Sequence, residues 1–214
     1  MSKYFFHRVN DYFLSKFVAV RDSASNLRNL MVVSEIVNSC SDCLCDGSDG
    51  FDLLINTGGT NRVLVKNYDG SGFFTMSLPF QVIEYEENIV FSLPEYGLDI
   101  NGGFISRVNN VIENIKGKSF SHEEVILGLY DNFDMDYSTA SLYFDAISTL
   151  LSNDHGYFRF DDDPENENGR VHPRYHFDFF CNNSSGVKIG TNDLIKEAFF
   201  INLFDLSKDR PYLT

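Results

Sequence analysis

The stretch from Phe51 to Tyr96, "FDLLINTGGTNRVLVKNYDGSGFFTMSLPFQVIEYEENIVFSLPEY", constrains the fold more than any other part of the chain. Its β-branched and aromatic runs are a few residues long and are interrupted by "TGGT", "YDGSG", "LP" and "EEN". Short apolar runs punctuated by glycine and asparagine turns read as consecutive antiparallel hairpins. Four or five strands are therefore expected between residues 51 and 96. Ahead of them "NLRNLMVVSEIV" places Leu27, Leu30, Met31 and Val37 on one helical face, with Ser25 or Asn26 as the cap.

Beyond "LDINGG" the apolar period returns to 3.6 residues. Phe104, Val108, Val111, Ile112 and Ile115 form one stripe. "SHEE" is a capping box in which the Ser121 hydroxyl accepts from the first helical turn, and Val125, Leu129 and Phe133 line the helix that follows. A third helix starts near Ser138 with Leu142, Ala146, Ile147 and Leu150 inward. Two strand-like runs come next, "YFRFDD" and "RVHPRYHFDFF", on either side of the turn-rich "DPENENG". Three helices followed by a hairpin resemble a winged-helix domain, over roughly residues 103 to 180. A last helix from Thr191 would bury Leu194, Ile195, Ala198, Phe199 and Leu203.

The expected fold class is α+β: an N-terminal helix plus antiparallel β-meander (residues 1–100), then a winged-helix-like three-helix and hairpin segment with a C-terminal helix (residues 101–214).

Charge limits what such a chain can bind. With 17 Lys and Arg against 31 Asp and Glu, the net charge is −14, whereas phosphate attraction needs clustered cations. The segment where a recognition helix would lie, "STASLYFDAISTLLS", carries Asp145 as its sole charge. Nucleic acid is thus not the expected partner, and a docking role for a protein partner suits the acidic surface better. No apolar run reaches the length that spans a bilayer, and the first residues mix charge into their aromatics, unlike a signal peptide. A cytoplasmic chain without membrane contact is expected.

Two histidines sit four apart in "NGRVHPRYHFDFF". If residues 170–180 are one strand, Val171, Pro173, Tyr175, Phe177 and Phe179 face the core, and Arg170, His172, Arg174, His176 and Asp178 face the other way. His172 and His176 would then lie about 13 Å apart along the strand, too far to share a metal. With Arg159 from the preceding run, Arg159, Arg170, His172, Arg174 and His176 would form a cationic docking patch on an acidic protein. Arg170 and His176 also fit the Arg-x5-His spacing of some helical ribonucleases, but that motif opens a helix and a strand is expected here.

Cys40 and Cys43 have a zinc-knuckle gap, yet the second ligand pair that a structural site needs is missing, with only Cys45 nearby and Cys181 remote. "DDDPENENG" does not place its carboxylates at EF-hand positions. Phosphate-binding, dinucleotide-binding, zincin and nucleophile-elbow motifs are not present in the sequence. The expected function is a protein-binding accessory or regulatory module without catalytic activity or cofactor, docking through the arginine and histidine patch. The alternative is a metal-dependent hydrolase or nuclease using His176 and Asp178, with His172 or the Asp161 to Asp163 run completing the site through a hairpin bent at Pro173.

Overall fold

The computed structural model describes residues 2–86, 88–116, 120–153, 155–179 and 187–210. The chain begins with strand β1 (Lys3–Phe6), the single-turn helix α1 (Asp11–Leu14) and the long helix α2 (Ser23–Ser39). Strands β2 (Leu44–Cys45), β3 (Leu53–Asn56), β4 (Arg62–Lys66) and β5 (Gly72–Ser77) follow, then β6 (Gln81–Tyr85), β7 (Asn88–Leu93) and β8 (Leu98–Asp99). Three helices come next, α3 (Gly102–Ile115), α4 (His122–Phe133) and α5 (Tyr137–Ser152). Last are β9 (Phe158–Asp162), β10 (Tyr175–Phe179), β11 (Lys188–Gly190) and α6 (Glu197–Phe204). The class is α+β.

Side chains at the helix starts satisfy amides that have no partner inside the helix. Ser121 accepts from the Glu124 amide, as the capping box requires, and Asn101 and Asp136 accept from Phe104 and Thr139. For α2 the cap is Asp22, upstream of the expected Ser25 or Asn26, because its carboxylate takes both the amide and the hydroxyl of Ser25 at 2.7 and 2.6 Å.

The strands form two antiparallel sheets, one of eight strands ordered β11-β10-β9-β5-β4-β3-β1-β2 and one of three ordered β6-β7-β8. Five strands lie between residues 51 and 96, within the four or five expected, and they are divided between the two sheets. The larger sheet takes strands from both sides of residue 100, since β9 pairs with β5. The order of three helices and a hairpin is as expected, but the β9–β10 hairpin is built into the sheet rather than standing beside it as a wing.

One face of the large sheet, with Phe6, Leu53, Ile55, Val63, Val65, Phe74 and Met76, shares a core with α2, α3, α4, α5 and the small sheet. The opposite face carries a separate aromatic core in which Phe73, Phe160 and Phe177 meet Phe200 and Phe204 of α6. Here the expected register of the last helix is corrected. It begins at Glu197, Phe200 and Phe204 are the buried residues, and Leu194 is exposed. The pair four apart meets the aromatic face of the sheet, a surface that helical periodicity alone does not reveal. In α5, Ala146, Ile147 and Leu150 are buried as expected, but Tyr143, whose hydroxyl accepts from Arg107, is buried where Leu142 was expected, and Leu142 is exposed.

Candidate functional site

Strands β9, β10 and β11 form one end of the eight-stranded sheet. Because side chains alternate, Phe160 and Phe177 point into the α6 core, and Arg159, Asp161, His176 and Asp178 stand on the opposite face. Register decides who meets whom: Arg159 lies opposite Asp178, Asp161 opposite His176, and Asp178 also opposite Lys188. Directly opposed residues have Cβ atoms about 5 Å apart, so five polar groups converge.

The Arg159 guanidinium donates to Asp178 Oδ2 at 2.7 Å and lies 2.9 Å from Asp161 Oδ2. The Lys188 ammonium donates to Asp178 Oδ1 at 2.8 Å and to His176 Nε2 at 2.7 Å. His176 is fully buried, and its Nδ1 is 2.8 Å from the carbonyl oxygen of Pro173. A carbonyl can only accept, so Nδ1 carries the proton and Nε2 offers its lone pair to the cluster. His176 Nε2 is 3.8 Å from both Asp161 Oδ2 and Asp178 Oδ1.

The two carboxylates titrate in opposite directions. Burial pushes the Asp161 carboxyl above its ordinary 3.8, with Arg159 opposing only in part. Burial acts on Asp178 in the same sense, but hydrogen bonds from Lys188 and Arg159 outweigh it and hold that carboxyl below 3.8. Asp178 has two cations within hydrogen-bonding reach where Asp161 has one.

The sign of the linkage follows. A depressed folded-state pKa means that Asp178 contributes stability above its unfolded pKa and loses it as pH falls through the lower folded value. Asp161, raised, contributes below its unfolded pKa and loses that contribution as pH rises through the folded value. Asp178→Asn is therefore expected to be less stable than the parent at pH 7, with the gap closing as pH falls below about 4, near the ordinary carboxylate pKa. Asp161→Asn is expected to gain on the parent as pH rises out of that range. Urea melts across pH 3 to 7 measure both, and parallel curves for the two variants would contradict the assignment.

The expectation for the two histidines is corrected. Residues 170–174 are not strand: β10 starts at Tyr175, Asn168 bridges to His172, and the chain folds back on itself. The rings of His172 and His176 consequently lie 4.9 Å apart, edge to face, rather than about 13 Å apart. Gly190 permits this fold-back, because a Cβ there would sit 2.8 Å from the Pro173 ring.

The five residues expected to form a cationic face are not equivalent in the structure. Arg170 is exposed. Arg174 donates to Asp162 at 2.7 Å and lies over the Tyr175 ring, and His172 is 3.1 Å from Asp163. Arg159 is engaged with Asp161 and Asp178, and His176 is buried, so neither presents free positive charge outward. Lys188 escaped sequence reasoning. "VKIG" has no periodicity, and only the β10–β11 register places its ammonium in the cluster.

Beside the cluster a cleft of about 820 Å³ opens between β9, the β4–β5 turn and the segment that follows α1. Phe17, Val18, Phe74 and Tyr157 supply its apolar wall, and burial pushes the Tyr157 hydroxyl up to about 12. Five carboxylates line it (Asp69, Asp161, Asp162, Asp163 and Glu165) against Lys66 and Arg159.

At the other end of the sheet the thiols of Cys40 and Cys43 are partly buried and unbridged, and burial next to Cys40 pushes Cys43 up to about 11. Such a thiol stays protonated and is a poor ligand and nucleophile. Cys181 lies outside the described residues. Among the described residues, Asp161, His176 and Asp178 are the one group of three potential metal ligands within 4.8 Å of one another. No protein-family model matches the chain, and no curated protein and no solved structure matches it significantly.

Proposed function

We propose that this protein is a non-catalytic binding module that seats a basic segment of a protein partner in the acidic cleft beside β9. The observation that carries the reading is the lining itself, an apolar wall beside five carboxylates on a chain of net charge −14; Asp161, Asp162 and Asp163 bond Arg159, Arg174 and His172, which leaves Asp69 and Glu165 as the lining acids without a cationic partner among the described residues. The proposed surface moves from the arginine and histidine patch to the adjacent cleft, because Arg159, His172 and Arg174 already pair with acids of their own hairpin. An arginine or lysine suits this lining, with its aliphatic stem against Phe17 and Val18 and its charged head among the carboxylates.

The test is titration with a fluorescent nona-arginine peptide. Binding is expected to weaken with added salt and to weaken about 2- to 5-fold in Glu165→Lys, since an exposed pair is worth up to about 1 kcal/mol. Lys66→Glu is expected to tighten it. Absence of binding at low ionic strength, or indifference to both substitutions, would remove the reading. A second reading, metal-dependent hydrolysis, is favoured by the convergence of Asp161, His176 and Asp178. Manganese-dependent cleavage of a phosphodiester that disappears in His176→Gln would establish it in place of the module.

A further inference from the structure

The Lys188 ammonium holds a particular position in the polar cluster. It is tethered to β11, a strand of three residues, and it sits where three acceptors converge: Asp178 Oδ1 at 2.8 Å, Asp178 Oδ2 at 3.0 Å and His176 Nε2 at 2.7 Å. Those contacts are the coordination sphere of a cation, filled by a side chain of the protein itself. We infer that Asp161, His176 and Asp178 form a divalent transition-metal site for which Lys188 is a built-in competitor.

Geometry supports the inference at each ligand. Two atoms bound to one metal at about 2.1 Å can be no more than about 4.2 Å apart. His176 Nε2 lies 3.8 Å from each of the two carboxylates, so that pairing needs no rearrangement, and the trio lies within 4.8 Å, so a closure of up to about 0.6 Å brings all three ligand atoms inside the limit. His176 has the outer partner that metal-binding imidazoles have: Nδ1–H donates to the Pro173 carbonyl, which fixes the tautomer and turns Nε2 to the ligand position. Arg159 does the equivalent for the carboxylates, since it bonds both. Asp161 and Arg159 also line the cleft, so the Asp161 edge of the site borders it.

Charge indicates which ion gains. With His176 neutral, Arg159 and Lys188 balance Asp161 and Asp178. A divalent ion that displaces the ammonium leaves one excess positive charge, which favours an anionic oxygen as a further ligand. One imidazole with two carboxylates is a donor set suited to Zn²⁺, Mn²⁺ or Co²⁺ rather than to soft-thiolate metals. Lysine is also the side chain best able to leave, because its four-carbon stem can carry the ammonium out to water.

The experiment is titration of the full chain with Zn²⁺, Mn²⁺ and Co²⁺, following heat for all three and visible absorption for Co²⁺. Lys188→Met is expected to bind one ion per chain at least 10-fold more tightly than the parent, and Lys188→Met combined with His176→Gln to lose that binding. Competition is read in the parent itself: NMR of its histidine rings is expected to show the His176 resonances shift as Zn²⁺ is added in excess. That measurement decides the matter if Lys188→Met does not fold. No gain of affinity in folded Lys188→Met would overturn the inference, and so would Co²⁺ spectra with thiolate charge-transfer bands that survive His176→Gln, which would assign the binding to cysteines. The nona-arginine titration is unaffected by this result, so the two proposals fail separately.

Discussion

Phe177→Ala is expected to lower stability by about 3–5 kcal/mol, the range for truncating a buried phenylalanine. Phe177 is 3% exposed and packs against Phe158, Phe160, Phe179, Phe199 and Phe200, with ring centroids between 5.2 and 6.2 Å. Its removal leaves a hole that α6 and two strands border, and several aromatic pairs are lost together. The measurement is urea denaturation beside Val171→Ala. Val171 was expected on the same buried face of the same strand, yet it is 83% exposed because β10 begins only at Tyr175. Its truncation should stay within about 0.5 kcal/mol. Comparable losses for the two would mean that the strand reaches back to residue 170 and that the fold-back bringing His172 onto His176 does not form.

Gly72→Ala is expected to cost roughly 3 kcal/mol or more, at the upper end of what overpacking does. Gly72 lies opposite Asp161 where β5 meets β9, and a Cβ built there would fall 1.9 Å from the carbonyl oxygen of Phe160. The obstacle is backbone, so no rotamer change relieves it. The Asp162 amide donates to the Ser71 carbonyl at 2.6 Å, so the strands cannot part locally without giving up this close pairing. The damage should therefore concentrate in β9 to β11. Hydrogen exchange is expected to show protection lost there and retained in α2, with nona-arginine binding lost as well. Uniform destabilisation, or none, would show that β9 is not held against β5 in this register.

How much was legible in the sequence depends on the range of the interactions involved. Helices α2 to α5 were readable because capping and the 3.6-residue period are properties of neighbouring residues: the "SHEE" box forms its bond, and Phe104, Val108, Val111 and Ile112 are buried as the stripe predicts. The hairpins between residues 51 and 96 were readable for the same reason, as was the alternation that sets Phe177 against His176 and Asp178. The division of those strands between two sheets was not, because pairing partners are chosen across the chain.

The polar cluster shows the same limit. Period 2 placed Arg159, His176 and Asp178 on a common face, and composition set the net charge of −14. Tertiary structure alone decided the rest. Insertion of the hairpin beside β5 set β9 against the segment that follows α1, where the cleft lies, and the turn through Pro173 gave His176 Nδ1 its carbonyl partner and so its tautomer. The β10–β11 register delivered a lysine from beyond a polar stretch with no periodicity of its own. Local patterns specify which face a side chain takes, since that follows from backbone geometry within a few residues. Which charges then share a desolvated site depends on strand order and register, which are settled by the packing of the whole chain.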